Sequence, residues 1–219
     1  MSLYVDWLRL SDEFDEHVSQ LTNFVANRSV FSSAASFTIA DECLLEGHLS
    51  RVWQIWCNFW RSCICHSCTG TTDGNAVAVV AHHVGATEVE VSSAVIRAKK
   101  NTVPYWQSSN SVLRFEPTWG DADVLATVIS RIVPSNHLQL LAAVSSAHSS
   151  AKTLQTIRNC AAHTNPQTLS DVKAFSTAYA SFPISQAVHA LFWVEPSTND
   201  FLIIHAIENL RDSALAAIS

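Results

Sequence analysis

The stretch from Asp41 to His66 reads D-E-C-L-L-E-G-H-L-S-R-V-W-Q-I-W-C-N-F-W-R-S-C-I-C-H. Leu45, Leu49, Val52, Trp53, Trp56, Phe59, Trp60 and Cys63 recur at steps of three and four, which holds one apolar face of an α-helix along most of the stretch. Leu44 and Ile55 widen that face. Three tryptophans between positions 53 and 60 require a helix buried along most of its length, or one packed against a second subunit. The continuation C-T-G-T-T-D-G, with Gly70 and Asp73-Gly74, is a helix stop.

The composition around this helix agrees with it. Nearly half of the 219 residues are apolar, enough to bury a real core, and a single domain over 1–219 is the expectation. Five glycines and six prolines are too few for a turn-rich sandwich or barrel. Net charge is −6 with histidines neutral, so no global basic field recruits nucleic acid, although a local patch still can. The first residues, M-S-L-Y-V-D-W-L-R-L-S-D-E-F-D-E, read as an amphipathic helix and not a signal peptide. No run of eighteen or more apolar residues exists, so no membrane span is expected. Six cysteines without regular spacing read as reduced thiols in a cytoplasm.

Upstream, residues 3 to 27 form a helix on Leu10, Phe14, Val18, Leu21 and Val25, followed by a Ser-rich break from Val30 to Ser36. Downstream, residues 75 to 119 are irregular. N-A-V-A-V-V-A and T-E-V-E-V alternate as strands do, so a short hairpin or β-containing insertion is expected there. Arg97, Lys99 and Lys100 follow as the chain's only clustered positive charge. Asp121 or Asp123 caps the next helix, which carries Val124, Leu125, Val128, Ile129 and Ile132 and closes at Pro134. A segment from Leu138 runs toward the helix containing Leu154, Ile157 and Ala161. Ser170-Asp171 caps another helix with Val172, Phe175 and Tyr179 inward, ending at Pro183. A last helix carries Ile203, Ile207, Leu210, Ala214 and Ile218. The sum is an all-α bundle of about five or six helices.

Chemistry gathers at L-Q-T-I-R-N-C-A-A-H-T-N-P-Q-T, residues 154 to 168. Pro166 biases Asn165 away from the αR region, so the helix should end near His163 or Thr164. A permanent cation (Arg158), an amide (Asn159) and a group that ordinarily titrates near neutrality (His163) are collected at a helix end, a set suited to phosphate. The R-x4-H spacing resembles the signature of the HEPN superfamily, small helical bundles of which many are ribonucleases of toxin, antiviral and CRISPR systems. That signature is an arginine and a histidine four to six residues apart, often with a polar residue directly after the arginine. Three stretches match the spacing: Arg61 to His66, Arg131 to His137, and Arg158 to His163. Pro134 interrupts the second, and neither it nor the first places an amide after the arginine. The third has Asn159 and ends its helix just after the histidine.

The resemblance implies a metal-independent endoribonuclease with Arg158, Asn159 and His163 as catalytic residues and no cofactor. It implies an RNA substrate, a homodimer that faces two motifs across a composite active site, and work as the toxin or effector of a bacterial defence or toxin–antitoxin system, with an antitoxin or regulatory protein as partner. The tryptophan-rich second helix is a candidate for part of the dimer surface. Alternatively, it implies a catalytically inactive HEPN-like module that binds a protein or nucleotide.

Other constellations are plainer. Cys63, Cys65, His66 and Cys68, with Cys57 upstream, invite a zinc reading, but no second C-x2-4-C knuckle appears and Cys63 belongs to the apolar stripe. His82-His83 reads as a solvent-exposed pair. His148, His189 and His205 read as structural histidines, and Glu42 and Glu46 as a polar helix face. No P-loop or G-x-G-x-x-G is present.

Overall fold

The computed structural model describes residues 2–26, 33–83, 85–107 and 113–219. The fold is all-α. Helix α1 spans Leu3–Ala26, α2 Ile39–Thr69, α3 Glu88–Lys99, α4 Ala122–Ile132, α5 His137–Ser146, α6 His148–Ala162, α7 Pro166–Lys173 and α8 Leu202–Ile218. The only sheet among the described residues is a two-stranded antiparallel hairpin, β1 (Thr71–Thr72) with β2 (Ala78–Val79). No described helix is long and apolar enough to cross a membrane. Part of the Ser-rich break after α1, residues 30 to 32, lies outside the described residues, and a 3-10 turn occupies Ala34–Ser36.

Helix α2 is the longest element, and all eight residues of its expected stripe are buried. Trp53, Trp56 and Trp60 are at most 4% exposed, so the chain's own core consumes them and they do not form a dimer surface. Leu44 is half exposed and lies outside the buried face, whereas Ile55 lies within it.

Two compact units can be distinguished, and helices continue from one into the other. The first comprises Met1–Ser11, Ile55–His148 and Arg211–Ser219. Its core holds Trp56, Trp60, Val91, Val95, Leu125, Ile129 and Leu140. Trp56 stacks near Phe59 and meets Trp60 edge-on, and its indole N–H donates to the Gly120 carbonyl at 3.2 Å. α2 stops at Gly70, whose φ of +94° only glycine adopts cheaply, and Asp73 then turns the hairpin by accepting from the Asn75 and Val77 amides. The second unit comprises Asp12–Gln54 and Ser149–Leu210. Phe14, Leu45, Leu49, Leu154, Ile157, Leu191, Phe192 and Trp193 form its core.

The 75–119 region holds the expected hairpin, but residues 88–91 are not a strand. T-E-V-E is a capping box. Thr87 Oγ accepts from the Glu90 amide at 3.4 Å, and Glu90 Oε2 accepts from the Thr87 amide at 2.8 Å. Beyond it Val91, Ala94, Val95 and Ala98 are buried at i, i+3, i+4 and i+7, a helical stripe that overrides the short alternation.

Asp121 caps α4 as expected. α5 and α6 are separate helices because the backbone breaks at Ala147. α7 begins at Pro166 and not at Ser170. Asn165 is its N-cap, accepting from the Gln167 and Thr168 amides at 3.0 Å, and the proline occupies the first helical position, where no amide is needed. Val172 is buried in α7, while Phe175 and Tyr179 are half-buried beyond its end in a 3-10 turn and the loop after it.

Candidate functional site

Helix α6 presents the R-x4-H motif at its C-terminal end. Leu154, Ile157 and Cys160 anchor the helix in the core of the second unit. Arg158 is half-buried, and Asn159 and His163 are exposed. Asn165 is extended at φ −151°, ψ 168°, as the following proline demands, and the helix gives way to a turn at His163. The His163 amide still donates to the Asn159 carbonyl at 3.0 Å, so the residue keeps its helical register. Its carbonyl accepts from Asn165 Nδ2 at 3.2 Å and Thr168 Oγ at 3.1 Å, which ties the turn to the start of α7.

That register separates and joins the three residues in a definite way. Arg158 and His163 are five positions apart and point about 140° from one another, since each residue turns the helix by ~100°. Asn159 and His163 are four apart and share a face. Arg158 Nη1 donates to Asn159 Oδ1 at 3.2 Å, which draws the guanidinium toward the face His163 occupies one turn later. Neither the guanidinium nor the His163 ring has an ion pair with another described residue. A shallow depression of about 580 Å³ adjoins this end of α6, lined by Thr164, Asn165, Pro166, Leu169, Ser170 and Lys173 and by none of the three motif residues.

The other two matches to the signature are built differently. Arg61 is clamped: its Nε and Nη2 donate to the two oxygens of Glu116 at 2.7 and 3.0 Å, and its Nη1 lies 2.5 Å from Glu88 Oε1. His66 Nδ1 lies 2.6 Å from Asp6 Oδ2, and the Asp6 side chain is 1% exposed. Arg131 Nη1 donates to the Ala98 carbonyl at 2.5 Å, and His137 Nδ1 lies 3.0 Å from the Pro134 carbonyl.

The thiols next to His66 are core groups. Cys63, Cys65 and Cys68 are buried, and burial pushes the Cys65 and Cys68 thiols up to about 12. Burial, with the Asp6 charge beside it, drives Cys63 higher still. Among the described residues no three His, Cys, Asp or Glu side chains converge as a metal site would require.

Sequence reading missed the long-range histidine pairs. His189 is fully buried, stacks on Phe37 with centroids 4.5 Å apart, and places Nε2 2.9 Å from Glu42 Oε1. Glu42 is therefore a partner for a core histidine, while Glu46 remains exposed. His17 and His48 meet Nδ1 to Nδ1 at 2.9 Å. Burial lowers both pKa values, with His48 also feeling His17 and His17 balanced between Glu16, Arg51 and Glu13. His148 reaches Asp123 at 3.0 Å, and His205 Nε2 accepts from Asn209 at 2.9 Å. Apart from the local His205–Asn209 pair, these partners are separated by 25 to 147 positions and leave no local signal in the chain.

No family model, no curated protein and no solved structure matches this chain.

Proposed function

We propose that the chain is a HEPN-type endoribonuclease acting through Arg158, Asn159 and His163. The observation that carries the reading is the arrangement at the end of α6. Asn159 holds the Arg158 guanidinium at 3.2 Å on the way to the face shared with His163, and Asn159 and His163 face solvent. Arginine and histidine side chains whose charges the fold does not consume, set at a helix end in an all-α chain, are what the motif's chemistry needs.

The chemistry follows from the groups. His163 of one copy takes the proton from a ribose 2′-OH, and the freed oxygen attacks the adjacent phosphorus. The P–O5′ bond breaks, leaving a 2′,3′-cyclic phosphate on one fragment. The 5′ oxygen takes a proton from the second copy's histidine and leaves as a hydroxyl. The guanidinium is a planar fork that binds the phosphorane oxygens as their charge grows. A single imidazole cannot both accept and donate in one step, so the reading requires a two-fold pair of chains. The activity is that of a toxin or defence effector, restrained by a partner protein.

The same RNA sequence and its DNA counterpart, incubated with the purified protein in EDTA, test the chemistry. Cleavage of RNA alone, ending in cyclic phosphate and 5′-hydroxyl, is expected. Cleavage of both, or 5′-phosphate products, contradicts 2′-OH attack. A folded, dimeric chain that cuts neither moves the reading to an inactive HEPN-like binding module.

A further inference from the structure

The first unit carries a second feature that Arg158 and His163 do not use. Residues 97 to 115 hold four of the chain's thirteen lysines and arginines and none of its nineteen acidic residues, in a protein of net charge −6. The fold gathers the described parts of this stretch, residues 97–107 and 113–115, with the end of α4. Arg131 at the end of α4 donates to the Ala98 carbonyl at the end of α3, so the two helix ends adjoin. Trp106 Nε1 donates to the Ile132 carbonyl at 3.5 Å, and the His82 amide donates to Cys68 at the end of α2. Loops carrying aromatic rings therefore cover this end of the unit. Trp106 packs on His83 at 4.3 Å and His82 at 5.5 Å between centroids. Phe115 is 53% exposed, with Arg114 at 5.1 Å and Lys100 at 5.8 Å from its ring.

Cations at helix C-termini complement the helix dipole, which accounts for Lys99 and Lys100. It does not account for an exposed phenylalanine flanked by two cations, nor for three more rings at the same end of the unit, where Trp106 meets the end of α4 that adjoins α3. Glu90 is the carboxylate near His83, and the capping box engages it. Nearby Glu88 and Glu116 are taken by Arg61.

From this juxtaposition we infer that the surface formed by His82, His83, Lys100, Trp106, Arg114 and Phe115 binds single-stranded nucleic acid. The exposed rings of Phe115, His82 and His83 offer stacking platforms to unpaired bases, with the half-buried Trp106 backing the histidines, and the interleaved cations meet the backbone phosphates. A duplex hides its base faces and satisfies only the charges. The inference does not depend on the nuclease reading, because it concerns binding by other residues.

Fluorescence anisotropy with labelled oligouridylate in EDTA tests it, using the full-length His163→Ala chain so that cleavage cannot intervene. Saturable binding is expected, at least tenfold tighter than to a labelled duplex of the same length. Phe115→Leu, which keeps the bulk and removes the π face, should weaken it about fivefold or more. Lys100→Ala with Arg114→Ala should lower the slope of log affinity against log salt by roughly 1.4, about 0.7 for each lost phosphate contact on a single strand. No saturable binding, equal duplex affinity, or an unchanged affinity in Phe115→Leu overturns the inference. Binding without cleavage by the parent chain would sink the nuclease reading alone, and cleavage without binding here would sink this inference alone.

Discussion

Arg61 to His66 on α2 and Arg158 to His163 on α6 share one spacing and meet opposite fates. On α2 the arginine is clamped by Glu88 and Glu116, and the histidine rests on a buried aspartate. On α6 the arginine's hydrogen bond goes to the next residue, and the histidine faces solvent. The difference teaches that spacing selects nothing by itself. What decides is whether the fold supplies partners that consume the charge. A clamped pair is structural, and an unclamped pair has its charge available for another molecule.

The largest effect expected from this contrast is on stability. Arg61→Met strands Glu116, whose side chain is 10% exposed, and should cost ~2–3 kcal/mol, lowering Tm by about 5–10 °C in a thermal melt. Arg158→Met should stay within about 0.5 kcal/mol of the parent. Equal losses in the two variants would erase the distinction. Asp6→Ala should follow at ~1–3 kcal/mol, since it removes a buried partner from His66, whereas His163→Ala should leave the denaturant midpoint nearly unchanged.

The contrast also extends to pH. Burial pushes the Glu116 carboxyl up, but its hydrogen bonds from Arg61 and Trp119 outweigh this and hold it below the ordinary carboxylate value. A carboxyl depressed by folding contributes stability that is present above the unfolded pKa and is lost as pH falls through the folded one. Parent protein should therefore lose stability below about pH 4.5 more steeply than Arg61→Met. The His17–His48 pair adds a separate loss at milder acidity. Both rings fold with pKa values below the ordinary one, so the unfolded chain binds more protons and stability falls as pH drops below about 6.5. His48→Gln should flatten that limb in melts between pH 7.5 and 5.

How far the chain could be read follows the same division between local and distant causes. α2 was legible because its stripe is long and its tryptophans had to be buried. The end of α6 was legible because Pro166 governs the backbone just before it. Residues 88–91 read as strand in the sequence because four alternating residues mask the T-x-x-E box that overlaps them. The expected cap of α7, Ser170-Asp171, lies at least five residues beyond the actual cap Asn165, although N-P is itself a cap followed by a first-turn proline. The partners of Arg61, His66 and His189 were not legible at all, because they come from elements 27 to 147 positions away. The motif could be found in the sequence, but its unclamped state could not.

The smallest expected effect concerns a local strain next to the α4 motif match. Val133 ends α4 with φ +47°, a left-handed conformation that a β-branched residue adopts at a cost. Val133→Gly should raise stability by about 0.5–1 kcal/mol, and a fall would show that the 39%-exposed side chain packs more than it strains.

The most direct measurement of the central claim puts the two motifs side by side. Wild type, His66→Ala and His163→Ala are assayed on total tRNA and mRNA in EDTA, with rates expressed per folded molecule. The account predicts that His163→Ala loses cleavage by about 10²-fold or more while His66→Ala retains it, with the products ending in cyclic phosphate. Full activity in His163→Ala, or its loss only in His66→Ala, would contradict the assignment of the chemistry to the end of α6.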